Sequence, residues 1–193
     1  MARTASNRPT EPSPFRFSVD DYYLLAEAGA FGETTHTELI EGEIIEMPRA
    51  GPEHSGNVSS FCRYLNRMLP DCYDVRCQLA LRVSENTELE PDFAILRARK
   101  DNYTKSHPTP ADALLVIEIS KSSLTYDLKR KTAVYAKAGI GEYWVVDLDG
   151  RQLHVMAGPS GSGYAEHRIL TPGGEVRCAT VPELALPVEK LFV

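Results

Sequence analysis

Apolar positions change period several times along the chain, and each change marks an element. Residues 1–16 carry three prolines and no periodicity, which predicts a mobile tail ahead of a domain over residues 17–193. Ser18 with Asp21 three residues on resembles a capping box and predicts a helix over Val19 to Ala28. Glu38 to Met47 alternates as a strand that Gly42 can bend or bulge. Val58, Phe61, Cys62, Leu65 and Met68 recur at helical spacing, predicting a helix from Glu53 to Leu69 that Pro70 stops.

The period then falls to two. Val75, Cys77, Leu79, Leu81 and Val83 predict one half-buried strand over Asp74 to Val83, and Pro91 opens another over Asp92 to Leu96. Ala113 to Ile119 is almost unbroken apolar, the mark of a strand covered on both faces. Thr125 to Ala138 reads as a helix ended by Gly139, and Tyr143 to Leu148 as a further buried strand. Gly150 then separates that strand from Gln152 to Ala157 in a hairpin-like arrangement, followed by short edge strands and turns. The fold class is α/β: a mixed central sheet flanked by helices, with extra β-hairpin strands.

Composition adds exclusions. A chain of 193 residues fits one domain, and 42% hydrophobic with 25% charged residues is ordinary for a globular protein. The formal net charge of −6 weighs against a pure DNA-binding module, although a local basic strip can coexist with an acidic total. No apolar run is long enough to span a bilayer, and the N-terminus lacks a signal-peptide core, so a cytoplasmic address is expected. Four cysteines without C-x-x-C spacing are expected as reduced thiols, and five histidines form neither H-x-H nor H-E-x-x-H.

Candidate chemistry begins with an acid in each of two consecutive strands. An unpaired carboxylate at Glu118 would be costly among such neighbours, so it must be neutral, paired or on a metal. Alternation puts Glu118 on a face with Leu114, Val116 and Ser120, and Asp92 on one with Ala94 and Leu96. If the strands are neighbours, both acids can enter one cavity, where a divalent cation or a lysine would relieve their repulsion. Oxygen ligands of this kind suit Mg²⁺ or Mn²⁺. The bland alternatives are a Glu that emerges into solvent or pairs with Arg82, and an Asp that caps a turn. Lys131 is the lone charge on a helical stripe with Leu124, Leu128, Tyr135 and Ala138, whereas Lys129, Arg130 and Lys137 fall off it. Lys121 points away from Glu118 if the strand continues. Glu38 shares a face with Ile40 and is either inward-pointing or an exposed strand-end acid.

Six segments then follow in order between residues 18 and 155: Glu38 to Glu43, His54, Pro91-Asp92, Glu118-Ile119-Ser120, Asp127-x-x-x-Lys131-x-x-x-Tyr135, and Gly139 to Trp144. This series resembles the Uma2 family within the PD-(D/E)XK restriction-endonuclease-like superfamily. The resemblance implies a four- or five-stranded mixed sheet and a site that cleaves DNA with Mg²⁺ or Mn²⁺. Asp92 and Glu118 look like the motif acids, and Ser120 stands where the basic residue normally does. Lys131, from the next helix, is then its counterpart. Glu38 looks like an extra acid, so the implied catalytic set is Asp92, Glu118, Lys131 and Glu38, with metal on Asp92, Glu118 and Glu38. His54 matches a recurrent family histidine to which no role is assigned.

The expected partner is DNA, bound weakly and without sequence preference, with Arg97, Arg99 and Lys100 as the phosphate-guiding strip. A homodimer is expected, because cutting both strands of a duplex commonly uses two sites. Trp144 and Tyr143 are read as core aromatics, and His36, His107, His154 and His167 as surface or loop residues. The competing reading is a catalytically idle nuclease-fold protein that acts as a binding or regulatory partner.

Overall fold

Ser18 opens the first helix, α1 (Val19–Glu27), through the capping box its spacing predicts. Its hydroxyl accepts from the Asp21 amide at 3.1 Å, and its own amide donates to Asp21 Oδ2 at 2.9 Å. The computed structural model describes residues 11–32 and 35–193. The expected tail falls outside the described residues for 1–10. Residues 11–16 form neither helix nor strand, and Arg16 pairs with Glu43 at 2.5 Å.

The strand expected over Glu38 to Met47 is instead a hairpin of β1 (Thr37–Ile40) and β2 (Glu43–Glu46). Glu41 at φ +50° and Gly42 at φ +79° turn the chain between them, the paired left-handed conformation of a two-residue hairpin loop. Alternation alone missed the turn because the apolar pattern runs straight through it. Helix α2 (Pro52–Met68) follows and buries Val58, Phe61 and Leu65.

The single strand expected over Asp74 to Val83 also divides. β3 (Tyr73–Cys77) ends at Gln78, whose φ of +51° breaks the extended run, and Leu79 is left 49% exposed. β4 (Leu81–Ser84) then joins a different sheet with β5 (Thr87–Leu89), a strand the pattern did not predict. β6 (Phe93–Arg97) and β7 (Ala113–Ser120) run antiparallel. The helix expected over Thr125 to Ala138 is α3 (Leu124–Tyr126), a π-helical turn over Asp127–Lys131, and α4 (Thr132–Lys137). β8 (Glu142–Asp147), β9 (Gln152–Ser160), β10 (Gly163–Leu170), β11 (Glu175–Arg177) and β12 (Ala185–Pro187) complete the chain with a 3-10 turn over Val188–Leu191.

Six strands form the main sheet in the order β10-β9-β8-β7-β6-β3, against the four or five expected, and a second sheet runs β2-β1-β5-β4. Among the described residues, only β7 and β8 are parallel in the main sheet, and the α3–α4 crossover connects them. One face carries Phe93, Ile95, Ile117, Ile119, Trp144 and Val146 against α2 and the C-terminal strands. The other carries Ala94, Leu96, Val116, Tyr143 and Val145 against α4 and the smaller sheet. Glu118 follows Val116 onto that second face. Leu114 does not, because a bulge between Leu115 and Ala113 leaves it unpaired and turns it to the α2 side. Among the described residues, no helix is long and apolar enough to cross a membrane.

Candidate active site

A cavity of about 740 Å³ opens where the main sheet, the small sheet and the π-helical turn meet, and Glu38, His54, Asp92, Glu118, Asp127 and Lys131 all line it. β6 begins just after Asp92, and β7 carries Glu118 near its C-terminal end, so neighbouring strands deliver both acids to one wall. The Asp92 amide donates to Glu118 Oε2 at 3.3 Å. Asp92 Oδ2 accepts from the Ile119 amide at 2.8 Å and lies 3.0 Å from His54 Nε2, while its Oδ1 accepts from Gln78 Nε2 at 3.1 Å.

Lys131 stands between the other two acids. Its Nζ donates to Glu118 Oε1 at 2.9 Å and to Glu38 Oε1 at 3.3 Å, with the lysine side chain only 4% exposed. Tyr135 OH also donates to Glu118 Oε1, at 3.1 Å, and the Glu90 amide donates to Glu38 Oε1 at 3.0 Å. Asp127 Oδ2 accepts from Ser120 Oγ at 2.5 Å and Ser123 Oγ at 2.7 Å. The fold thus places the sequence-predicted Glu38, Glu118 and Lys131 in direct contact, with Asp92 beside them.

Helical geometry explains the D-x-x-x-K-x-x-x-Y spacing. At about 100° per residue, two steps of four in an α-helix would rotate Tyr135 roughly 80° away from Asp127. A π-helical turn holds more residues per turn (about 4.4), so its step of four falls short of a full rotation and cancels the drift. Asp127, Lys131 and Tyr135 are all buried.

The electrostatics follow from crowding. Burial pushes the Glu118 carboxyl up to about 8, and although Lys131 opposes the shift, Asp127, Asp92 and Glu38 reinforce it. Burial disfavours the charge on Lys131, but Glu118, Glu38 and Asp127 outweigh it and hold its ammonium above the ordinary lysine value. The surrounding acids thus favour the Lys131 ammonium, while burial disfavours the Glu118 carboxylate. Burial likewise raises Asp127, against the pull of Lys131 and its two serine donors. Hydrogen bonding to Asp92 raises His54 against the opposing effect of its burial.

The donor set suits a hard divalent cation: carboxylate oxygens outnumber cations around the cavity, and the buried Glu38 Oε2 has no hydrogen-bond partner among the described residues. Among the described residues, however, no group of three His, Cys, Asp or Glu side chains is arranged to hold a metal ion. Lys131 intervenes between Glu38 and Glu118, and protein donors occupy both oxygens of Asp92.

Several expectations change. Arg97 closes β6, about 16 Å along the strand from Asp92 at the usual rise, so the strip that it forms with Arg99 and Lys100 is not beside the acids. Arg97 instead donates to the Ala111 carbonyl at 2.8 Å, and Arg99 binds Asp101 at 2.6 Å and stacks 4.1 Å from the Tyr103 ring centre. Besides Lys131, the cavity is lined by Arg49 and by Lys121, the latter paired with Glu53 and Asp149. His36 lines the cavity too, 3.0 Å from Glu90, and His154 is buried against His167 rather than in a loop. Trp144 and Tyr143 are fully buried core aromatics, as expected. Gln78 was missed, since nothing in its neighbourhood announces a positive φ. Tyr135 carried a signal in its four-residue spacing from Lys131.

A mixed sheet with paired acids on adjacent strands and a crossover helix against them defines a nuclease fold of the restriction-endonuclease type. A family model described as "Uma2: Putative restriction endonuclease" matches residues 19–189, and the chain belongs to that family. Its fold is similar to a crystal structure described as "a putative nuclease belonging to DUF820" from Anabaena variabilis ATCC 29413. The two share 20% identity at a TM-score of 0.68, over 91% of this chain and 97% of that one. No curated protein matches the chain.

Proposed function

We propose that the protein is a metal-dependent deoxyribonuclease that hydrolyses DNA phosphodiester bonds, with Asp92 and Glu118 holding Mg²⁺ or Mn²⁺ and Lys131 acting as the lysine of the site. The convergence of Asp92, Glu118 and Lys131 on one cavity wall carries this reading. When bound, the cation would acidify a water and polarise a phosphoryl oxygen. The Ile119 amide and Gln78 fix the Asp92 carboxylate, so its orientation is set before any substrate arrives. Lys131 supplies the positive charge that orients an attacking water or offsets charge on the phosphate. Glu38 adds a third acid from the small sheet, through its Oε2, which has no hydrogen-bond partner among the described residues.

DNA would be held weakly and without sequence preference, through few phosphate contacts, with Arg49 of the cavity lining among them. Four free cysteines agree with a reducing, cytoplasmic setting. A second reading, an idle nuclease-fold protein that binds DNA or a partner without cutting, is favoured by the lysine that already spans two acids. Plasmid nicking with Mg²⁺ or Mn²⁺ decides between the two. Nicking that EDTA and Asp92→Asn both abolish supports the nuclease, and DNA binding without nicking under either metal sinks it.

A further inference from the structure

β10 forms one edge of the main sheet, and its eight residues pair with β9 alone. Among the described residues, no backbone group outside β9 bonds to it. Natural proteins blunt such edges with short strands, charged side chains, prolines or bulges that turn the strand away. β10 contains no proline and is longer than the five-residue β3 at the opposite edge. Its middle residues, Glu166, His167, Arg168 and Ile169, are exposed, and Ile169 is a large apolar side chain left 53% open.

We infer that two copies of this chain pair through β10, antiparallel about a two-fold axis at His167, into one continuous sheet. A two-fold axis normal to the sheet keeps side-chain faces continuous, so a residue can oppose only residues an even number of positions away from it in sequence. Three central registers remain. An axis at Glu166 sets that carboxylate against its own copy, and an axis at Arg168 does the same to two guanidinium groups; like charges directly opposite are destabilising. The axis at His167 sets Glu166 opposite the partner's Arg168 and Arg168 opposite the partner's Glu166. His167 leaves the axis clear, because its ring is tied back to His154 at 3.0 Å.

The strand therefore carries a charge order that is complementary to itself in one register and repulsive in the two beside it. This gives the homodimer of the proposed nuclease an interface. It leaves each site whole, because Glu38, Asp92, Glu118 and Lys131 all come from one chain. Oligomeric state is measured without DNA or metal, so the interface can fail while the nuclease reading stands, and the reverse.

Analytical ultracentrifugation of the full chain tests it. The wild type is expected at twice its 21.4 kDa chain mass. Arg168→Glu and Glu166→Arg should each weaken the dimer by about ten-fold or more, since each replaces two attractive pairs by two repulsive ones. The double swap Glu166→Arg/Arg168→Glu should restore it. Mixing the two single variants should produce a heterodimer, which also shows that both are folded. A monomeric wild type at high micromolar concentration overturns the proposal. So does a dimer indifferent to both single substitutions, or one that neither the swap nor the mixture rescues.

Discussion

Lys131 Nζ lies 2.9 Å from Glu118 Oε1, joining the π-helical turn to the strand thirteen residues earlier in a pair that solvent barely reaches. Removing one partner of such a pair costs far more than the pair contributes, because the other is left buried without compensation. Lys131→Ala should destabilise the fold by about 3–5 kcal/mol in urea melts and abolish nicking while retaining metal binding. Lys121→Ala should leave nicking within about twofold, since that lysine sits exposed among Glu53 and Asp149. The reverse ranking of the two lysines would remove Lys131 from the chemistry.

Metal should be visible in stability. A cation that binds only the folded chain stabilises it by about 2.7 kcal/mol at a hundred times its dissociation constant. Thermal melts are expected to shift upward with Mg²⁺ or Mn²⁺ in the wild type and not in Asp92→Asn. An undiminished shift in both Asp92→Asn and Glu118→Gln would move the cation elsewhere. Glu38→Gln asks a narrower question, and nicking within about twofold of wild type would leave Glu38 outside the site.

Gly42 is a backbone requirement. At φ +79° a side chain is strained, and a Cβ there would lie 2.7 Å from Arg16 Cβ and 3.0 Å from Arg16 Cα. Gly42→Ala is expected to cost about 1–3 kcal/mol in urea melts. Because the turn sets the register of the strand that bears Glu38, the variant should also lose the Glu38–Lys131 contact, visible in a crystal structure. A loss below about 0.5 kcal/mol would mean the turn tolerates a side chain.

His154 predicts a pH effect away from the cavity. Burial pushes its imidazole below the ordinary value, and the neighbouring His167 ring adds to this. The unfolded chain therefore takes up that proton first, so the group's contribution is present above the unfolded value near 6.5 and is lost as pH falls below it. Between about pH 7.5 and 5, His154→Gln should lose less stability than the wild type. An identical loss in both chains would show that His154 does not titrate differently on folding.

Legibility in the sequence follows how local the determining physics is. Glu118 stands out because six apolar neighbours want a dry strand, and Lys131 because a 3.6-residue stripe singles it out, although the π-helical turn buries the charge of Asp127 beside it. The α1 cap is readable from two residues. The division of residues 74–83 between two sheets is not, because it turns on one left-handed residue, Gln78, inside an unbroken alternation. The hairpin at Gly42 hides for the same reason. The basic strip failed differently: Arg97 is close to Asp92 in number but at the far end of the same rod.

The two ion pairs of Lys131 also differ in the length of chain each one closes. Its contact with Glu118 closes a segment of 13 residues, and its contact with Glu38 closes one of 93. Loop closure costs about 1.7 kcal/mol more for the longer segment. The short pair is thus the cheaper to close, and the contact with Glu38 leans on the small sheet that carries it.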